Sequence, residues 1–410
     1  MTAMTVTLDD VRRAAARIAG AIRPSPCLAA PRLAQRFGGE AFLKLETVHP
    51  TGAFKERGAL SRLLTLSPEA ARAGVIAMSA GNHAQGVACH AARLGIPATI
   101  VMPAATPFTK IERTEALGAR VLLHGATLAA ARAHAFAVAE REGLTFVHPY
   151  DDPMVVAGQG TIGLEILEQV PDFDDLVVPI GGGGLIAGIA AAVKALRPEV
   201  RLWGVQSALF SAMRRALFGG PEGAGGDTLA EGIAVAEPGR LPCAMLAGLL
   251  EDVLLVEEPA IERAVQVLID EQKIVAEGAG AAPVAALLDA PDRFRGRRVV
   301  LVVGGGNIDD RLLASILMRG LVREGRLIRI RVELDDQPGA LSRMTGLVAE
   351  AGGNIVEIYH QRLFFDVPVK RAEVDAVVEI RNHRHAELLV RALAEGGFPT
   401  RLLTYTNAGG

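Results

Sequence analysis

The chain has 410 residues, half of them apolar and 22% charged, which is enough apolar surface for two or three folded domains and excludes a disordered polypeptide. Its 43 basic and 46 acidic residues leave a net charge of −3, so no bulk charge directs it to nucleic acid or to a membrane surface, and no apolar run reaches the roughly 18 residues of a membrane span. Three scattered cysteines, Cys27, Cys89 and Cys243, form no CxxC and argue against a disulfide framework or a cysteine-bound zinc.

The first twenty residues carry no apolar core followed by a cleavage site, so the expectation is a cytoplasmic protein without a leader. From Ala41 to about Ile308, short apolar runs alternate with alanine-rich helical patterns such as GVACHAARLG and IAGIAAAVKAL. The runs are AFLKLE, VIAMS, ATIVM, ARVLLH, TFVH, DLVVPI, RLWGVQ, DVLLVEE and RRVVLVV. This alternation predicts an α/β fold of mostly parallel sheets with helices on both faces, because fully covered strands read as near-continuous apolar runs. In such sheets ligands bind beyond the carboxyl ends of the strands.

A helix around Leu312–Glu324 joins this part to a second, where the pattern changes. Ile328, Ile330, Val332 and Leu334 alternate with Arg329, Arg331 and Glu333, a strand with one wet face. The DDQPG turn follows, then a helix with Leu341, Met344 and Val348 on one side, closed by Gly352–Gly353. NIVEIYH, EVDAVVEI and TRLLTY are strands, with HAELLVRALAEGG a helix before the last. The order is βαββαβ, a small α+β domain of the split-βαβ type. The chain shows no internal repeat and no low-complexity linker.

Three loops of the first part carry chemistry. In DLVVPIGGGGLIAGIAAAVKAL a buried strand runs into Gly181, Gly182, Gly183 and Gly184 and then straight into a helix. Four residues without side chains at a helix N-terminus present backbone N–H groups and the positive dipole end to an anion such as a phosphate. The same stretch satisfies G-x-G-x-x-A, so a nicotinamide dinucleotide stands as an alternative, but the next strand ends in Gln206 where a ribose-binding acid belongs. In ETVHPTGAFKERGAL, Lys55 sits among small and apolar residues. Ala53 and Phe54 on one side and Arg57 on the other would lower its pKa and make it nucleophilic; the plain alternative is a surface lysine paired with Glu56. In VIAMSAGNHAQGVACHAARLG, the strand ends in Ser79, Ala80, Gly81, Asn82 and His83 and a helix begins, a place for a carboxylate or no more than a helix cap. No second ligand stands four residues from His83, so no metal is assigned there. Together, a phosphate cradle, a buried-type lysine and a carboxylate loop suit a phosphorylated aldehyde cofactor, and pyridoxal phosphate needs these parts.

TGAFKERGA, SAGNHAQGVA, GQGTIGLEIL, PIGGGGLIAG, EGAGA and GGNID follow one another in an order and spacing that resembles the pyridoxal-phosphate enzymes of the tryptophan-synthase-β-like fold, and among them the threonine/serine dehydratases. The resemblance implies a two-lobed catalytic domain over residues 1–320, its smaller lobe at about 50–150. Residues 327–410 are similar to an ACT domain, a regulatory or assembly module. By the same resemblance Lys55 is the Schiff-base lysine and the base for the α proton. Asn82 holds the cofactor's ring hydroxyl, Gly181–Gly184 its phosphate, and Ser79, Ala80, Asn82 and His83 receive the substrate carboxylate. The implied reaction is dehydration and deamination of L-threonine to 2-oxobutanoate and ammonia, with L-serine next. The alternatives are another β-hydroxy amino acid such as 3-hydroxyaspartate, or a non-catalytic amino-acid-binding regulator. The implied partners are that substrate, an amino-acid effector at Gln337, Pro338, Gly339 and Asn354, and further copies of the chain in a dimer or tetramer.

Three positions depart from the family pattern. Gly304 stands where a Ser, Cys or Thr faces the cofactor's pyridine nitrogen. Ala80 replaces the second serine of the related racemases, so racemisation is expected to be poor. Gln206 replaces an acid that binds a divalent cation in some relatives, so no metal is carried over.

Overall fold

Every apolar run read as a strand is one in the computed structural model, which describes residues 5–361 and 371–403. The chain divides into two units, Met1–Ile308 and Asp309–Gly410. The helix Asp310–Arg323, expected as the join, belongs to the second.

The first unit contains β1 (Cys27–Ala29), β2 (Glu40–Leu45), β3 (Val75–Met78), β4 (Ala98–Met102), β5 (Arg120–Leu123), β6 (Thr145–Phe146), β7 (Asp175–Pro179), β8 (Arg201–Ser207), β9 (Asp252–Val256) and β10 (Arg298–Val303). Six of them form a sheet in the order β1-β2-β10-β7-β8-β9, antiparallel only at β1, the strand the sequence did not reveal. The other four form a wholly parallel sheet, β5-β4-β3-β6. β7 is buried along its length and β10 nearly so, as their unbroken Val/Leu runs require once helices cover both faces. The covering helices start cleanly. Pro153 opens the helix Pro153–Gln169, and the Asp152 side chain accepts from the N–H groups of Met154 at 2.7 Å and Val155 at 3.1 Å.

Strand order also decides where a ligand can sit. From β7 the chain steps outward to β8 and β9, then returns to place β10 on the other side of β7. From β3 it steps to β4 and β5, then returns to place β6 on the other side of β3. Each reversal parts the loops that follow two neighbouring strands, and a crevice opens at their carboxyl ends. The amino end of the large sheet is closed instead. There the fully buried Asp175 accepts from Arg201 Nε at 2.7 Å and Trp203 Nε1 at 2.7 Å, and pairs with Arg297 as well.

The second unit has β11 (Leu327–Asp335), β12 (Asn354–Gln361), β13 (Arg371–Glu379) and β14 (Thr400–Leu402) in an antiparallel sheet ordered β12-β13-β11-β14. With the helices Ala340–Glu350 and His383–Glu395 this is the βαββαβ order, and Ile330, Val332, Met344, Val374, Ala376 and Leu389 form its core. On its other face Asp375 is buried between Arg329 at 2.8 Å and Arg331 at 2.5 Å.

Candidate active site

The carboxyl ends of β2, β10 and β7, neighbours in the large sheet, lead to Lys55, to Gly304–Asn307 and to Gly181–Gly184. The ends of β3 and β6 lead to Ser79–His83 and to His148–Tyr150. Lys55 is the first residue of the helix Lys55–Leu63, and its Nζ donates to the Pro149 carbonyl at 2.9 Å. Phe54 lies under it, the ring centroid 5.1 Å from Nζ. No carboxylate of the described residues lies within ion-pair distance of Nζ, so burial brings the amine's pKa from 10.5 to about 8, with Glu277 pulling weakly the other way. Arg57, which the sequence reading placed beside the lysine as a cationic neighbour, does not act on it. Its guanidinium turns away to Glu46 at 2.7 Å and Glu165 at 2.5 Å, fully buried, with Thr161 at 3.1 Å. Glu56 is not a surface partner for Lys55 either: it is buried, bonded to His90 Nε2 at 3.0 Å and to the Thr51 N–H at 2.5 Å. Both residues that follow Lys55 therefore anchor its helix to the body of the unit.

Asn82 sits at the start of the helix Asn82–Leu94 with both ends of its amide engaged. Nδ2 donates to Glu277 Oε1 at 2.7 Å, and Oδ1 accepts from Asn307 Nδ2 at 2.8 Å. Asn307 also donates to the Thr51 carbonyl at 2.6 Å. One hydrogen of Asn82 Nδ2 remains for a ligand. Ser79 turns its hydroxyl back to accept from the Gly81 N–H at 3.2 Å. The His83 ring is buried, its Nε2 on the Val147 carbonyl at 2.9 Å, and burial, then Lys55, hold its pKa near 3. Its side chain is a neutral strut, so His83 can serve an anion only through its backbone N–H, one of the first-turn donors that a helix leaves without partners.

Gly183 has φ +96° and caps the helix Gly184–Leu196. The N–H groups of Gly181, Gly182 and Gly183 donate to no acceptor among the described residues. Unsatisfied donors at a helix N-terminus, with no side chain in the way, fit a phosphate, and with Lys55 near pKa 8 the set fits pyridoxal phosphate. Neighbouring side chains also require glycine here. A Cβ on Gly182 would fall 2.2 Å from the Tyr150 ring, and one on Gly183 2.4 Å from Met213 Cε.

Gly304 donates no side chain, but its carbonyl accepts from the Phe54 N–H at 3.0 Å, and a Cβ there would meet Phe54 Cδ1 at 3.3 Å. Ala80 lies between Ser79 and Gly81 in the carboxylate loop. Gln206 is fully buried, its Oε1 accepting from the Arg214 N–H at 2.9 Å while its Nε2 has no partner, and no group of three or more His, Cys, Asp or Glu suited to a metal ion occurs among the described residues. The sequence reading missed Glu277, Asn307 and Tyr150. EGAGA and GGNID flagged the first two only as parts of motifs, and Tyr150 was signalled only by its place just past a strand end.

The effector residues do not come together within one chain. Gln337, Pro338 and Gly339 form the turn after β11, with the Ala340 N–H on the Gln337 carbonyl at 3.2 Å. Asn354 begins β12 at the level of Leu327, eight residues back along β11 from Asp335, or roughly 26 Å at the strand rise. Asn354 Nδ2 donates to Glu379 at 3.4 Å.

The profile of a family described as pyridoxal-phosphate dependent enzyme matches residues 18–305. The L-threonine ammonia-lyase of Thermotoga maritima is 41% identical over 402 residues, 97% of this chain and 100% of its own length. A catabolic L-threonine dehydratase of Escherichia coli K12 is 43% identical over 310 residues, 75% of this chain and 94% of its own. Among solved structures, the processed form of threonine deaminase isoform 2 from Solanum lycopersicum superposes with a TM-score of 0.71 at 34% identity, over 77% of this chain and 90% of that one. Maize serine racemase gives 0.72 at 31%, over 78% and 99%. With the lysine, the free glycine N–H groups and these matches together, the chain belongs to the pyridoxal-phosphate dependent enzymes.

Proposed function

We propose that this chain is a cytoplasmic threonine ammonia-lyase that carries pyridoxal phosphate on Lys55, converts L-threonine to 2-oxobutanoate and ammonia, and also takes L-serine to pyruvate. The carrying observation is Lys55, a half-buried amine with no carboxylate of the described residues within ion-pair distance, following β2 in the same sheet whose β7 leads into a glycine loop with free N–H groups. The names of relatives at 41% and 43% identity support the substrate class.

Bound pyridoxal phosphate supplies an aldehyde for an amino group and an electron-poor ring that accepts the pair left at the α carbon. Gly181–Gly184 would hold its phosphate and the free Asn82 hydrogen its ring oxygen. The backbone N–H groups of Ala80, Asn82 and His83 would hold the substrate carboxylate, since those of Ser79 and Gly81 already donate to the Val101 carbonyl and to Ser79 Oγ. Lys55 Nζ, uncharged above about pH 8, would take the α proton and pass it to the β-hydroxyl, which would then leave as water. Ala80 has no hydroxyl to act as a base, which supports elimination over racemisation. The test is 2-oxo acid release from L-threonine, L-serine and 3-hydroxyaspartate. Release from L-threonine is expected to be fastest, and none from L-threonine would overturn the reading.

The second unit is read as an ACT-like amino-acid sensor, which is supported by its βαββαβ order. β12 is an edge of its sheet among the described residues, with Val356, Ile358 and Tyr359 exposed. Two-fold antiparallel pairing across β12 would bring Asn354 of the partner subunit to the end of the joined sheet that carries Gln337–Gly339, which makes a dimer the sensing unit and a dimer or tetramer the assembly. Titration of branched-chain amino acids against the full chain is expected to change the rate in the parent and not in Asn354→Ala. Equal responses in the two forms would remove Asn354 from the effector site.

A further inference from the structure

We propose that Glu277 is a further working residue of this site: its carboxylate holds Asn82 in the orientation that faces the cofactor, and its charge holds a proton on the Lys55 side of the cleft. The proposal rests on Lys55 as the cofactor lysine. Glu277 occupies the N-cap position of the helix Gly278–Asp289 but does not cap it, since no N–H of that helix donates to its side chain. Its backbone N–H is tied to the Gly305 carbonyl at 3.1 Å, and its carboxylate reaches across to Asn82. Gly305 makes room for this reach: a Cβ there would fall 2.5 Å from Glu277 Oε1 and 3.2 Å from Asn82 Nδ2. Asn307 donates to Asn82 Oδ1, so Nδ2 must be the end that faces the carboxylate. Removing the carboxylate frees the amide to turn.

No Lys, Arg or His of the described residues lies within ion-pair distance of Glu277. The charged groups around it are Lys55, Lys110 and Glu231, and the last two pair with each other. Lys55 is left as the cation among them without an ion-pair partner, and Glu277 as the anion without one. A carboxylate kept only for structure is normally paired or capping, and this one is neither. Burial lifts its pKa to about 7, so its charge changes in the range where the site works.

Glu277→Gln keeps an acceptor for Asn82 and loses the charge; Glu277→Ala loses both. In the cofactor-loaded protein without substrate, Glu277→Gln is expected to retain cofactor on dialysis within about twofold of the parent, and the pH midpoint of the bound cofactor's absorbance is expected to fall by about one unit. Glu277→Ala is expected to show the same fall and about tenfold weaker retention. In the apoprotein, the pH midpoint for acylation of Lys55, read by peptide mapping, falls in both variants. Midpoints that coincide with the parent's in the apo and loaded forms overturn the charge role, and equal retention in all three overturns the orienting role. A parent that binds no cofactor contradicts the assignment of Lys55 instead, and the apoprotein midpoints still decide the charge role.

Discussion

Lys44 is fully buried and Lys55 half-buried in the first unit, and their surroundings are opposites. Lys44 Nζ donates to Glu165 at 2.6 Å, to the Ser25 carbonyl at 2.6 Å and to Gln169 at 3.0 Å. Glu165 in turn binds Arg57, which binds Glu46, which binds His49 at 2.8 Å, so every charge in that cluster has an opposite. Burial disfavours the Glu46 charge, yet the Arg57 guanidinium outweighs it and holds the carboxyl well below the usual range. Lys55 has one carbonyl and no acid within ion-pair distance. The difference separates structure from chemistry. Paired burial fixes a charge in place, and unpaired burial makes an amine ready to lose its proton. The two centres are also joined, because the paired one anchors the helix that begins with the unpaired one.

Breaking the unpaired centre is expected to have the largest effect. Lys55→Ala should abolish the near-visible cofactor absorbance and turnover together, whereas Lys44→Ala should cost stability and leave the cofactor in place. Borohydride reduction followed by peptide mapping is the check, and label on Lys44 would falsify the assignment.

Breaking the paired centre comes next. Arg57→Met leaves the fully buried Glu46 without its guanidinium, while Glu165 keeps Lys44, and a loss of about 3–5 kcal/mol in unfolding free energy is expected. Adding Glu46→Gln should recover part of it. Urea denaturation of the single and double variants reads the difference, and an unaltered midpoint in Arg57→Met would mean the cluster is not what anchors the helix.

Smaller effects sharpen the picture at the cofactor end. Gly183→Ala forces a Cβ onto a residue at φ +96° with Met213 Cε 2.4 Å away. A cost of about 1–3 kcal/mol is expected, with weaker cofactor retention as the loop shifts. Retention equal to the parent's would show that the loop N–H groups do not hold the phosphate. The smallest change is expected from Gly304→Ser. Its Cβ needs only a few tenths of an ångström from Phe54, so the protein should fold normally. Its hydroxyl would offer the pyridine nitrogen the partner found in the family pattern, and a shift in the cofactor's absorbance is expected. An identical spectrum would mean that the nitrogen already has a partner.

The sequence by itself determined the elements and the chemistry-bearing loops. Short Val/Leu/Ile runs alternating with helical patterns pointed to strands, most of them covered on both faces, and Ile328–Leu334 alternates because its sheet has one wet face. Lys55 and Gly181–Gly184 were legible because small residues beside a strand end have few other uses. Tertiary structure alone decided which charges meet. Arg57 follows Lys55 closely in the chain, yet the helix turns it to the other side, toward Glu46 and Glu165. Glu277 lies far from Asn82 in sequence and meets it only because β10 returns between β2 and β7 and brings Gly305 with it. The same holds in the second unit, where the parallel course of β11 and β12 puts the starts of both strands at one end of the sheet and so parts Asn354 from Gln337. Local pattern reports burial because burial follows the period of each element. Pairing between distant side chains depends on strand order and register, which no local period encodes.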